Sequence, residues 1–187
     1  RDITGYRNVY ASAFYGDGSN LSGISSVTSL DGLSDCKVGG NDFTESIKIG
    51  SSTTGSLNNA VKNTIIGIGS GNNISSGNHH TLLGHQAGQN LTTGSENTFI
   101  GVDAGQLATT ANWNTCIGSH AADQLVGNQN TIVGRSTARQ LNGNWVTCLG
   151  AGAGRYMNHT NPSENVTVIG ARCGYDIRGV SKCVILG

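Results

Sequence analysis

Asn63-Thr-Ile-Ile-Gly67, His80-Thr-Leu-Leu-Gly84, Asn97-Thr-Phe-Ile-Gly101, Asn114-Thr-Cys-Ile-Gly118 and Asn130-Thr-Ile-Val-Gly134 are copies of one pattern, and its spacing decides the fold. Val146-Thr-Cys-Leu-Gly150 and Val166-Thr-Val-Ile-Gly170 continue it. A looser copy, Ser46-Ile-Lys-Ile-Gly50, precedes the series, and Cys183-Val-Ile-Leu-Gly187 closes it. The glycines fall at 50, 67, 84, 101, 118, 134, 150, 170 and 187, so the spacings are 17, 17, 17, 17, 16, 16, 20 and 17. Other columns keep the same register. Three and four residues after each glycine come small pairs such as Ala87-Gly88, Ala104-Gly105 and Ala153-Gly154, and seven after it comes an apolar residue such as Ile74, Leu91 or Leu141.

This period is about half that of the helical-pair repeats. The Thr/Ile/Val-rich segments are short and bounded by turn formers, as short strands are. They predict an all-β chain, a β-solenoid of 16–17-residue coils. Each coil has a strand, a glycine corner, a tight bend, an apolar anchor and a polar turn back. Coils stacked at the strand spacing of about 4.8 Å make a rod of about 40 Å. Residues 1–35 lack the repeat and read as an N-terminal junction or trimerisation segment, with the solenoid over 36–187.

Composition agrees. Of 187 residues, 29 are Gly, 20 are Asn and one is Pro. Gly and Asn are the residues that most readily take positive φ, so the chain turns often. Eleven basic residues balance eleven acidic ones, which removes the electrostatic case for nucleic-acid binding. No apolar run approaches the length of a membrane helix, so membrane insertion is not expected. Five cysteines, at 36, 116, 148, 173 and 183, have no CxxC spacing and read as small buried apolar residues.

Strand alternation carries an expectation about assembly. In Thr64-Ile65-Ile66 the outer two residues share one face and Ile65 takes the other. The middle position is Lys37 in Cys36-Lys-Val-Gly39 and Lys48 in Ile47-Lys-Ile-Gly50, so the middle column is read as pointing away from the coil's own core. From there on that column is apolar: Ile65, Leu82, Phe99, Cys116, Ile132, Cys148, Val168 and Ile185. An exposed apolar stripe invites burial against other copies of the chain, and these eight residues are read as the interface of a homotrimer, intertwined or side by side.

The recurring N-T-x-I-G-x-x-A-G-x-x-L-x-x-G pattern resembles the β-solenoid repeats of bacteriophage tail fibres. With a longer period, it is also similar to the coils in the heads of trimeric autotransporter adhesins. Val9-Tyr-Ala-Ser-Ala-Phe-Tyr-Gly-Asp-Gly-Ser-Asn-Leu-Ser-Gly-Ile24 resembles the junctions of phage fibres. The resemblance implies a homotrimeric virion fibre, assembled in the host cytoplasm and joined to tail or baseplate proteins, that attaches to a host-surface glycan or protein. The alternatives are a bacterial adhesin head at the cell surface and a capsular-polysaccharide depolymerase.

No catalytic constellation is visible. No Asp/Glu column places a carboxylate pair on one face, so no enzyme, cofactor or metal site is expected. His80 occupies the Asn column and His79 a charged one, both read as solvated. That charged column, five before the glycine, also holds Trp113 and Trp145. Two exposed indoles two coils apart suit stacking on a sugar or contact with a protein. The Thr column suggests an ice-binding ladder, but such a face wants two outward Thr per coil, so Thr is expected to hydrogen-bond up the stack or to line the core edge. The Asn column of Asn63, Asn97, Asn114 and Asn130 is expected to stack and to satisfy turn backbone along the axis.

Overall fold

The computed structural model describes residues 36–38, 41–50, 58–157, 163–177 and 180–187. Its strands are β1 (Cys36–Val38), β2 (Ile47–Ile49), β3 (Thr64–Ile66), β4 (Thr81–Leu83), β5 (Thr98–Ile100), β6 (Thr115–Ile117), β7 (Gln124–Val126), β8 (Thr131–Val133), β9 (Gln140–Asn144), β10 (Thr147–Leu149), β11 (Tyr156–Met157), β12 (Ser163–Ile169) and β13 (Ser181–Leu186). In the main wall, β2 to β6, then β8, β10, β12 and β13, stack in parallel. The register keeps repeat on repeat: Thr64 faces Thr81, Thr81 faces Thr98, Thr98 faces Thr115 and Thr115 faces Thr131. A second wall forms from β7, β9 and β11. The chain is an all-β parallel β-solenoid, as the period predicts.

Corner geometry follows from the glycines. Gly101 has φ +131°, open to glycine alone, and a Cβ there would lie 2.6 Å from the carbonyl carbon of Gly118 in the next coil. The corners therefore stack backbone on backbone. The 20-residue spacing between Gly150 and Gly170 leaves the main wall undisturbed, because Thr147 still faces Thr167 and Leu149 faces Ile169.

The orientation of the strands corrects the sequence reading. Ile65, Leu82, Phe99, Cys116, Ile132, Cys148 and Val168 are fully buried in the coil's own core, and Ile185 is partly buried against it. The outer positions face solvent instead: Thr64, Ile66, Thr81, Leu83 and Thr131 are exposed. The physical reason is the small pair after each corner, which folds the chain back onto the middle side chain. A Cβ on Gly105 would meet the Phe99 ring at 2.5 Å, and one on Gly71 would meet Ile65 and Leu82 at 3.0 Å. In the Thr column, Thr64, Thr81 and Thr131 are exposed rather than at the core edge, and Thr98, Thr115, Thr147 and Thr167 are half-buried.

Lys48 misled the alternation argument. It points inward, fully buried, and its ammonium donates to the Ser70 carbonyl at 2.7 Å and to Asn72 Oδ1 at 2.9 Å. A long stem in apolar surroundings with a satisfied head closes the end of the core column. Burial lowers its pKa to about 8. Cys36-Lys37-Val38 is not a further parallel coil either: β1 runs antiparallel to β2, with Lys37 opposite Lys48. The expected junction over residues 1–35 lies outside the described residues.

Cys116 and Cys148 are buried free thiols whose pKa values burial raises, that of Cys148 to about 12. Cys173 and Cys183 are free and partly buried.

Candidate functional site

Each coil enters its main strand through one left-handed residue, five before the corner glycine. Glu45, Lys62, His79, Glu96, Trp113, Gln129, Trp145, Asn165 and Lys182 all have φ between 53° and 61°, and all are exposed. A bulky residue there costs about 1–2 kcal/mol against right-handed backbone. The site is held by hydrogen bonds to the preceding coil: Trp113 N–H donates to Ser95 O at 3.1 Å and Trp145 N–H to Asn128 O at 3.2 Å.

Two side-chain ladders clamp this column. On its C-terminal side, Asn97 Oδ1 accepts the Asn114 N–H, Asn114 Oδ1 accepts the Asn130 N–H and Asn130 Oδ1 accepts the Val146 N–H, at 2.8–3.0 Å. Their amide NH2 groups donate to turn carbonyls at Ala111, Gly127 and Gly143. The stacked role expected for this column is what the structure has. His80 joins the ladder rather than the solvent, which corrects the solvated reading. It is buried, its Nε2 lies 2.7 Å from Gly94 O, and its Nδ1 accepts the Asn97 N–H at 3.2 Å. Burial lowers its pKa to about 4, with the neighbouring His79 pushing the same way. His79 itself is exposed, as expected.

The second ladder, on the N-terminal side, was missed in the sequence. Asn78, Ser95, Asn112, Asn128 and Asn144 point the opposite way along the axis. Each accepts from the coil before it: Ser95 N–H to Asn112 Oδ1, Asn112 N–H to Asn128 Oδ1 and Asn128 N–H to Asn144 Oδ1, all at 2.8 Å. The signal was present as Asn112-Trp-Asn114 and Asn128-Gln-Asn130, with the left-handed residue between two ladder amides.

Trp113 and Trp145 are 54% and 50% exposed, as expected for that column. Gln129 separates them, so they stand two rungs, about 10 Å, apart along the wall. Beside the same coils lies a concavity of about 280 Å³ lined by Thr109, Thr110, Val126, Asn128, Asn142 and Asn144 among others. Its cause is the drop in coil length. Two residues, Thr109 and Thr110, link the apolar anchor to the small residue before the ladder in the 17-residue coil, but single residues, Val126 and Asn142, do so in the 16-residue coils. In these shorter coils the link is extended, as part of β7 and β9. Neither indole lines this concavity; its amides can hydrogen-bond a polar ligand, and the exposed indoles can stack on a ring.

On another face, Asp103 Oδ2 lies 3.5 Å from His120 Nδ1, and Asp103 Oδ1 lies 4.0 Å from His85 Nδ1. Among the described residues, no group of three or more His, Cys, Asp and Glu is placed to hold a metal ion.

Fold and surface thus define a parallel β-solenoid carrying a strained, solvent-facing aromatic pair. Comparison with protein-family models, with curated proteins and with solved structures finds no match.

Proposed function

We propose that the chain is a segment of a homotrimeric virion fibre that attaches a bacteriophage to its host by binding a cell-surface glycan or protein, without turnover of substrate. The observation that carries this reading is the pair of half-exposed indoles at left-handed positions. Neither indole serves the core, and the backbone conformation disfavours a bulky residue, so folding alone does not account for tryptophan there. Polar amides in the concavity formed by the same stretch of coils offer hydrogen-bonding partners for such a surface ligand. A rigid rod of hydrogen-bonded coils supplies reach. For assembly, the apolar third positions of the strands, exposed at Ile66, Leu83, Ile117 and Ile169, take over the role first given to the buried middle column.

The test is adsorption of the purified protein to host cells, comparing wild type with a Trp113→Ala/Trp145→Ala variant shown by circular dichroism to be folded. The reading expects the variant to lose most of its cell binding. Equal binding moves the receptor surface elsewhere, and release of reducing sugar ends from host capsule overturns the non-enzymatic reading.

A further inference from the structure

Four arginines lie among the described residues. Arg139 is paired, with its Nε 3.1 Å from Asp123 Oδ2. The other three, Arg135, Arg155 and Arg172, line a single notch of about 140 Å³ together with Ser136, Ala151, Gly152 and Tyr175. No carboxylate lines it.

The notch exists because one rung is stripped of side chains. Two residues after the corner glycines from Gly67 to Gly170 the chain again takes left-handed φ, and this column carries Gln86, Asp103, His120, Ser136 and Arg172, with glycine at 69 and 152. In the coil after Gly150 that position is Gly152, and Ala151 precedes it. A Cβ on Gly152 would meet nothing closer than Arg172 Cγ at 3.6 Å. The gap thus opens between Arg135 in the coil before and Arg172 in the coil after. Arg155 is further fixed by aromatic neighbours: its guanidinium sits 5.5 Å from the Tyr156 ring centroid and 5.7 Å from that of Tyr175, and the two rings meet edge to face. Its Nε is buried and has no hydrogen-bond partner.

Three arginines line one gap with no carboxylate among its lining residues, and one of them holds a buried donor without a partner, an arrangement that an anion would complete. Guanidinium forks match the planar or tetrahedral oxygens of carboxylate and phosphate. We propose that this notch is an oxyanion-binding site for one carboxylate or phosphate group of a ligand, held by Arg135, Arg155 and Arg172. The Tyr175 ring forms the side against which the body of the ligand packs. The site is separate from the tryptophan column and does not depend on the fibre reading.

The experiment is titration of the full chain with inorganic phosphate and, separately, with sodium glucuronate, at constant ionic strength, followed by amide and arginine NεH resonances. Saturable shifts are expected at Arg155, Arg172 and Tyr175 and not at Trp113. Response to phosphate alone assigns the site to phosphoryl groups, and response to glucuronate alone assigns it to carboxylates. Two variants locate it. Arg172→Gln removes an exposed charge and is expected to weaken binding by about 10-fold or more. Gly152→Gln refills the notch with the residue that already stands in this column at Gln86, leaves every charge in place and is expected to abolish binding. Absence of saturable shifts with either anion at about 10 mM, or equal affinity in a folded Gly152→Gln variant, overturns the proposal.

Discussion

Single residues in this solenoid are tested by the ladder they stand in. Asn114 Oδ1 accepts both the N–H and the NH2 of Asn130, while its own NH2 reaches Asn97, Asn112 and Gly127. Asn114→Ala leaves buried donors and acceptors unmade, and is expected to lower stability by about 1–3 kcal/mol in thermal or denaturant unfolding. Asn73→Ala removes only an exposed amide pair with Asn90 and should fall within about 0.5 kcal/mol of wild type; equal losses for the two would remove the ladder from the account of stability. The tryptophans give the converse case. Asn tolerates left-handed backbone, and Asn165 already holds this column at φ 53°. Trp113→Asn/Trp145→Asn is therefore expected to keep or raise the thermal midpoint while reducing adsorption to cells. A lowered midpoint would mean that the indoles pack for stability.

At the level of the coil, the corner glycine and the polar ladder set opposite kinds of limit. Gly101→Ala puts a methyl group into the Gly118 backbone at a φ closed to alanine, and should prevent stacking at that rung. Gly152→Ala, whose Cβ would make only ordinary van der Waals contact with Arg172 at φ +71°, should cost no more than about 1–2 kcal/mol of left-handed strain. His80 gives the ladder a pH dependence. Its folded pKa of about 4 lies below the ordinary 6.5, so between those values the unfolded chain binds the proton and the native one does not. Stability is therefore complete above about pH 6.5 and declines as pH falls toward 4. His80→Asn restores the residue found in neighbouring coils, and in matched denaturant titrations should flatten that part of the profile. How much of this was legible follows from what each residue type can do. Corner glycines, the period and the Asn column carry their geometry in their identity. Strand facing did not, because T-Φ-Φ is apolar on both sides and Lys48 looked like an outward residue. Only the contact between the small pair and the middle side chain, as at Gly105 and Phe99, decides the direction. The arginine notch was illegible for a related reason: it needs Arg135, Gly152 and Arg172 from three successive coils, and only the stacking aligns them.

For the whole molecule, the reversed facing separates stability from assembly, which the sequence had joined in one column. Phe99 is fully enclosed by its own chain, so Phe99→Ala is expected to cost about 3–5 kcal/mol whatever the oligomeric state. Leu83 and Ile117, by contrast, stand on the outer face of the main wall in a line with Ile66 and Ile169. Apolar residues repeated down a flat wall form one continuous patch, and such patches are covered when chains associate. If three copies of this chain meet there, Leu83→Lys/Ile117→Lys brings like charges together at the axis and should shift the protein from trimer to monomer in analytical ultracentrifugation. The monomer's circular dichroism should stay that of the folded solenoid, because neither side chain enters the core. Phe99→Ala should act the other way round, unfolding at lower temperature yet sedimenting as a trimer while folded. A double-lysine variant that remains trimeric would place the interface on another face. A wild-type chain that is monomeric at high concentration would remove the trimer from the proposed function and leave the tryptophan surface to be judged alone.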